Sequence, residues 1–242
     1  MASLIVPVTA QKRPRATVKS GSSASSDPEI YERRRLKAIA ARWDARAVRW
    51  DADLSDPACH LNEDQAYPRF LSQLTRFLAT RSSFCATHGL IDVGCGTGIV
   101  LEHTLSRFAW GVGIDISPRM IKEAESKQLA NTSFIIGDCF NVPELCPRAG
   151  VVVSRGVLLS HYGLKQAEAF LRAMLSALVK GGWLVCDFLN EAARGHHLHI
   201  PHNKTWFTRA EIRALARRVG FRSARILGRD QRRVLILCAH NA

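Results

Sequence analysis

The strongest chemical signal in this sequence is a glycine-rich segment that follows a short apolar run. Residues 91–98 read Ile-Asp-Val-Gly-Cys-Gly-Thr-Gly, and the pattern predicts a strand before the glycines and a helix after them. Glycines allow the backbone to approach a ligand closely, and a helix N-terminus offers free N–H groups. Ile99 stands where a GxGxxG dinucleotide loop has its third glycine, and the segment lacks the GK[ST] ending of a P-loop. It therefore predicts a ligand-binding loop of another kind.

Acidic side chains occur at the ends of three consecutive predicted strands. Asp92 lies in the strand before the glycines, Asp115 closes the next strand 17 residues after Gly98, and Asp138 follows the third. In open α/β sheets, ligands bind beyond the carboxyl ends of the strands. A carboxylate at the second position can accept two hydrogen bonds from ribose hydroxyls, and one at the third can accept from an adenine amino group. With the glycine loop, these acids predict a ligand that contains a nucleoside.

The elements that must position these residues alternate between strands and helices after His88. Strands are predicted over 89–93, 111–115, 133–136, 150–154, 182–188, 222–227 and 233–239, with helices over 97–108, 118–129, 164–179 and 208–219. Such alternation is typical of a doubly wound α/β fold, in which helices cover both faces of a parallel sheet. The last two strands are joined around Gly228 and Asp230 and read as a hairpin, which makes one strand antiparallel.

The first third of the chain reads differently. Residues 1–28 are basic and serine-rich, and they predict a disordered tail or, alternatively, an organellar transit peptide. Helical patterns over 28–52 and 66–80 predict an N-terminal helical cap over 29–82, and residues 83–242 then form the ligand-binding domain. Trp43 and Trp50 recur at helical spacing, which suits either core packing or a cover over the ligand.

Composition excludes several classes of protein. No apolar run approaches the roughly 18–20 residues that span a bilayer. Seven cysteines without a secretory signal favour a reducing, cytoplasmic compartment. The net charge of +13 is concentrated at the ends, because residues 1–50 carry 11 basic and 4 acidic side chains and residues 204–242 carry 10 and 2. Basic ends suit a solvated surface or, alternatively, contact with nucleic acid.

Several segments in the order of one known family now identify a resemblance. LIDVGCGTG, GVGIDISPRMI, FIIGD, VVVSRGVLL and LVKGGWLVCDF, over residues 90–188, resemble the core of class I S-adenosylmethionine-dependent methyltransferases. The resemblance implies a Rossmann-like sheet of seven strands with the last strand antiparallel, and S-adenosylmethionine (SAM) as the cofactor.

The same resemblance implies a set of cofactor-binding residues. Asp92, Gly94, Gly96 and Gly98 would surround the methionine part, with Cys95 between them as a small packing residue rather than a nucleophile. Asp115 would bind the ribose, Ile116 would pack on the adenine, and Asp138, followed by Cys139, would meet its amino group. Ser154 and Arg155 would line the path to the methyl group.

Catalysis of methyl transfer requires an aligned nucleophile and, where that nucleophile is protonated, a base. Candidates in the loops after the fourth and fifth strands are His161, Tyr162 and His197, although each also suits packing or a polar surface loop. Four histidines within 196–202 suggest a metal site, but only Glu191 is near them, so no metal is expected.

Three functions remain open at this stage. The first is transfer of a methyl group to an oxygen or nitrogen atom of a small-molecule acceptor. The second is methylation of RNA or protein with help from the basic ends; against it, the fourth strand ends in Ser-Arg-Gly-Val and not in the [ND]-P-P-[YFW] motif. The third is a non-catalytic, cofactor-binding scaffold, which the complete glycine loop and its acids disfavour.

Overall fold

The structure is a computed structural model that describes residues 28–56, 58–59, 65–156, 158–195, 204–228 and 232–238. For residues 28–33 and 232–238 only the backbone is described. The tail predicted over residues 1–28 lies outside the described residues except for Pro28, and so does the histidine-rich loop that contains His197.

One sheet forms the centre of the molecule. Five strands pair in parallel in the order β3-β2-β1-β4-β5: β1 (Gly89–Val93), β2 (Trp110–Asp115), β3 (Thr132–Ile136), β4 (Ala149–Ser154) and β5 (Leu178–Leu189). Beyond β5, the strand β7 (Arg232–Cys238) pairs antiparallel with β5 and with β6 (Ser223–Leu227). The parallel core confirms the α/β class, and it brings the carboxyl ends of β1 to β5 to one edge.

Nine α-helices surround this sheet in the described part of the chain. They are α1 (Pro28–Asp44), α2 (Trp50–Ser55), α3 (Ala66–Ala79), α4 (Ser82–Thr87), α5 (Ile99–Thr104), α6 (Pro118–Ser126), α7 (Val142–Leu145), α8 (Leu164–Ser176) and α9 (Arg209–Val219). Local sequence sets several boundaries. The Ser117 side chain accepts from Met120 N at the start of α6, whereas Thr208 and Glu211 form a reciprocal capping box at the start of α9.

The two faces of the sheet carry separate apolar clusters because neighbouring strand residues point to opposite sides. Ile91 and Val152 pack with α8 and α9 on one face, whereas Leu90, Val151 and Val153 pack with α3, α4 and α5 on the other. Helix α3 contributes three fully buried side chains to the second cluster: Phe70, Leu74 and Leu78. Burial of each is worth about 1.5–3 kcal/mol, so α3 is an integral part of the sheet's core.

Three helix boundaries differ from the predictions. The helix predicted over 164–179 ends at Ser176, because Leu178 already pairs with Ala149 as the first residue of β5. The helix predicted over 118–129 ends at Ser126, and Gln128 follows with a positive φ of 49°.

The helix predicted over 97–108 begins only at Ile99 and gives way to a 3-10 turn after Thr104. The helical pattern over 28–52 is divided between α1 and α2 by a tight turn in which Arg46 N donates to Trp43 O at 2.9 Å. The patterns did not predict α4 and α7, which have six and four residues and are too short to show periodicity.

Candidate functional site

The glycine loop folds back against the carboxyl end of β2. Gly94 N donates to Ile114 O at 2.8 Å, and Gly96 N donates to the Asp115 carboxylate at 2.8 Å. All three loop glycines have positive φ, in the region that side chains disfavour: Gly94 (73°), Gly96 (54°) and Gly98 (79°). The backbone conformation therefore explains why glycine stands at each of these positions. Cys95, between them, is buried and its N–H donates to Ile114 O at 3.0 Å.

Asp92 is a buried carboxyl group below this loop. It is 1% exposed, and neither of its oxygens has a hydrogen-bond partner in the part of the chain that the structure describes. Burial and, to a smaller extent, the negative charge of Asp115 raise the pKa of Asp92 to about 8 against the opposing effect of the positive charge of Arg155. A carboxylate in this place is stable only beside a cation or donor, so the site favours a positively charged ligand.

Asp115 ends β2 and is tied to the backbone on both sides. Its Oδ2 accepts from Gly96 N at 2.8 Å, and its Oδ1 accepts from Ser117 N at 2.9 Å. Burial raises the pKa of Asp115, and these N–H donors oppose the rise. Because each carboxylate oxygen has two acceptor positions, both oxygens can still accept bonds from a ligand. The half-buried Ile116 follows directly.

The loops after β3 and β4 meet at Tyr162. The Tyr162 hydroxyl lies 3.1 Å from Cys139 Sγ, and its ring lies 5.0 Å from the Phe140 ring. Asp138, just before them, accepts from Phe140 N at 3.1 Å. Burial raises the pKa of the Cys139 thiol to about 12 and also raises the pKa of Tyr162, so both groups are neutral at physiological pH. His161 precedes Tyr162 and is half-buried at the end of a 3-10 turn.

The two predicted residues at the end of β4 face different surroundings. The Ser154 hydroxyl is buried and donates to Val93 O at 2.9 Å, which ties β4 to β1. The Arg155 guanidinium lies 4.1 Å from the centroid of the Tyr67 ring on α3. Its charge acts on both Tyr67 and Asp92, lowering the pKa of each against the effect of burial. Arg155, Tyr67 and Asp92 thus form one electrostatic group.

A set of contacts that sequence reasoning missed attaches α1 and α2 to the glycine loop. Asp51 on α2 accepts from the Thr97 hydroxyl within the loop. Its other oxygen pairs with Lys127 Nζ at 2.9 Å, and the same ammonium pairs with Glu102 at 2.7 Å. Nothing in the sequence indicated that Asp51 binds Thr97 and Lys127, because these partners lie 46 and 76 residues away and local patterns do not predict such distant contacts.

Two further contacts complete this attachment. Asp44, the last residue of α1, accepts from the Ser117 hydroxyl and from Arg119 N, beside Asp115. A Cβ atom on Gly96 would lie 3.3 Å from Trp50 Nε1, so the indole rests on the loop. Trp43 in turn packs edge-on against Trp50, with ring centroids 5.5 Å apart. We call α1 and α2 the cap from here on.

The described residues contain neither a metal-binding group nor a membrane-spanning helix. Histidine, cysteine and carboxylate side chains form no group of three that could hold a metal ion there. In the same ranges, none of the helices has the length and apolar character needed to cross a membrane.

Comparisons with known proteins agree with this geometry. Residues 90–182 match the family described as "Methyltransferase domain". A ubiquinone biosynthesis O-methyltransferase from Chromobacterium violaceum is 30% identical over 123 residues, which cover 50% of this chain and 52% of that protein. The match thus spans about half the length of this relative.

Solved structures extend the likeness to most of the chain. Magnesium protoporphyrin IX methyltransferase from Synechocystis PCC 6803 with bound SAM has a TM-score of 0.66 at 18% identity, covering 90% of this chain and 100% of that one. A plantazolicin methyltransferase, solved with a substrate analogue and S-adenosylhomocysteine (SAH), has a TM-score of 0.60 at 16% identity, covering 86% and 100%. Residues 90–182 therefore match a methyltransferase domain, and the chain has the same Rossmann-like fold as these SAM-bound and SAH-bound methyltransferases.

Proposed function

We propose that this protein transfers a methyl group from SAM to an oxygen or nitrogen atom of a small-molecule acceptor. The observation that carries the proposal is the buried, unpartnered carboxyl group of Asp92 beneath the glycine loop. SAM is a cationic nucleoside, and a cation at this place would stabilise the ionised form of this carboxyl group. Asp92 in β1 then faces the positive charge of the cofactor, and Asp115 at the end of β2 faces its ribose.

Apart from Cys95, which is a packing residue, each predicted cofactor-binding residue has a role in this proposal. Asp92 faces the ammonium group of the methionine part, beside Gly94 and Gly96. Asp115 accepts from the ribose hydroxyls with the acceptor positions that Gly96 N and Ser117 N leave open. Further cofactor contacts are assigned to Gly98, Ile116, Asp138 and Cys139.

The residues at the end of β4 complete the site toward the methyl group. Ser154 holds β4 against β1 through its bond to Val93 O, and Arg155 lies beside Asp92 and Tyr67. When bound, SAM supplies a methyl group that its sulfonium already activates, so the chain's main task is to orient the two reactants and exclude water. Trp50 and Asp51 of the cap serve this task because they close over the loop.

His161 is the proposed base for an acceptor that must lose a proton. Histidine is the side chain that most often acts as a general base, and His161 lies next to Tyr162, whose neutral hydroxyl can donate or accept a hydrogen bond. His197 was predicted for the same role and lies outside the described residues.

A small-molecule acceptor is favoured by the proteins that share the fold. The solved structures include a magnesium protoporphyrin IX methyltransferase and a plantazolicin methyltransferase, and the sequence relative is named for ubiquinone biosynthesis. For this chain, these similarities support a small molecule as the methyl acceptor.

The test is calorimetric titration of the purified protein with SAM and SAH, with NAD as the negative control. We expect binding of SAM and SAH and none of NAD. Asp115→Ala should weaken SAH binding by about 1–3 kcal/mol, the loss expected for hydrogen bonds to a charged acceptor. Glu125→Ala, which removes an exposed acid from α6, is the matched control. An Asp115→Ala protein with the affinity of the control would disprove the ribose assignment.

A further inference from the structure

Charges of opposite sign line the inside and the outside of the site. The interior carries Asp92, Asp115 and Asp138, and the cap adds Asp44 and Asp51 to the inner side. The outer surface of the cap is basic instead. Its exposed or half-buried cations include Arg34, Lys37, Arg42, Arg46 and Arg49. Among the described residues, only Arg49 of these five has an acidic partner, Asp53 at 3.6 Å.

Two of these cations are attached to the site through aromatic rings. The guanidinium groups of Arg42 and Arg46 each lie 5.9 Å from the centroid of the Trp43 ring. Trp43 packs on Trp50, and Trp50 rests on Gly96 of the glycine loop. The pair therefore lies at the rim of the site, where a ligand that approaches the loop from outside would pass.

We propose that the basic outer surface of the cap, through Arg42 and Arg46 beside Trp43, selects an acceptor that carries an oxyanion, a carboxylate or a phosphate. This inference rests on the proposed function. A basic rim raises the local concentration of an anion, and the guanidinium fork matches the geometry of both oxyanions. The acidic interior attracts the cationic cofactor, whereas the basic rim attracts the anionic group of the acceptor.

Methyl transfer needs no base when a carboxylate of the acceptor is itself the nucleophile. A lone pair of its oxygen forms the new bond to the methyl carbon, the carbon–sulfur bond breaks, and that electron pair remains on sulfur. The anion and the sulfonium give a neutral ester and a neutral thioether, and no proton moves. The neutral Tyr162 phenol is compatible with this reaction. Where the oxyanion serves only for binding, another atom of the acceptor receives the methyl and His161 takes its proton.

In the experiment, the protein is incubated with SAM that carries a tritiated methyl group. The acceptors are small molecules from a cell extract, separated into anionic, neutral and cationic pools, with RNA and protein as further pools. We expect label in the anionic pool. Label released by mild alkali marks a methyl ester and hence a carboxylate nucleophile, whereas alkali-stable label marks an anion bound by its charge alone. A protein that binds SAH and labels another pool, or no anionic compound, overturns the inference. Failure to bind SAH instead contradicts the proposed function.

Variants then test the rim itself with the best anionic acceptor. The double variant Arg42→Gln/Arg46→Gln should raise the KM for this acceptor about tenfold, with unchanged affinity for SAH. The wild-type kcat/KM should fall several-fold as salt rises, because exposed charges are screened. Arg217→Gln/Arg222→Gln removes the same charge from exposed positions at the far end of α9, which leads to the opposite edge of the sheet. An equal rise of KM in this control would show a global charge effect and contradict the proposed site.

Discussion

Binding of SAM should release a proton from Asp92. Burial raises the pKa of this carboxyl group to about 8, so at pH 7 about nine-tenths of the free protein carries Asp92 protonated. The ammonium of a bound cofactor next to the carboxyl favours its ionised form and lowers its pKa. Binding at pH 7 should therefore release roughly 0.9 proton, and SAH affinity should rise about ninefold from pH 6 to pH 7. The ligand's own α-ammonium stays mostly charged over this range.

The assay is calorimetric titration of SAH at pH 7 in two buffers with different heats of ionisation. The slope of binding enthalpy against buffer enthalpy gives the number of protons released. Asp92→Asn should remove that slope and make the affinity independent of pH between 6 and 7. Asp56→Asn, an exposed acid beyond the cap, should behave as wild type. Equal enthalpies in both buffers for the wild-type protein would refute the reasoning, since Asp92 would not change its protonation on binding.

Three further predictions concern the loop, the core and the cap. Gly98→Ala should lower the free energy of unfolding, measured in urea, by about 1–2 kcal/mol, because the φ of Gly98 is 79° and the new Cβ would lie 3.1 Å from the Phe134 ring. Gly163→Ala should cost less, because the Cβ at that position would enter open space. Leu74→Ala should cost about 2–5 kcal/mol by the same measurement, since this side chain is fully buried under the sheet; a smaller loss would contradict the packing of α3. Asp51→Asn should speed SAH dissociation several-fold in stopped-flow tryptophan fluorescence, because the ion pair to Lys127 is lost; an unchanged rate would show that the cap does not retain the ligand.

The positions of Asp92 and Asp115 near the glycine loop could be inferred from sequence. Each lies in or at the end of a strand that the pattern identifies, and parallel strands bring their carboxyl ends to one edge. Pattern and topology together therefore place these residues without any knowledge of side-chain contacts.

The role of the cap could not be inferred in the same way. Helical periodicity shows that a helix has an apolar face, but it does not identify the surface on which that face packs. Helix α3 belongs to the N-terminal helical segment predicted over 29–82, and periodicity alone did not indicate that its Phe70 and Leu78 pack in the apolar cluster under β1 and β4. Asp44 and Asp51 lie outside the apolar pattern, and their partners were set only by tertiary folding.

The attachment of the cap has a consequence for how such a protein can diversify. The side chains that hold the glycine loop from outside, together with the basic rim, belong to one continuous segment between Pro28 and Ser55, ahead of the matched domain at 90–182. Recombination that exchanges this segment leaves every strand of the sheet in place. Cofactor retention and acceptor choice would then be inherited together, as one genetic module separate from the chemistry of methyl transfer.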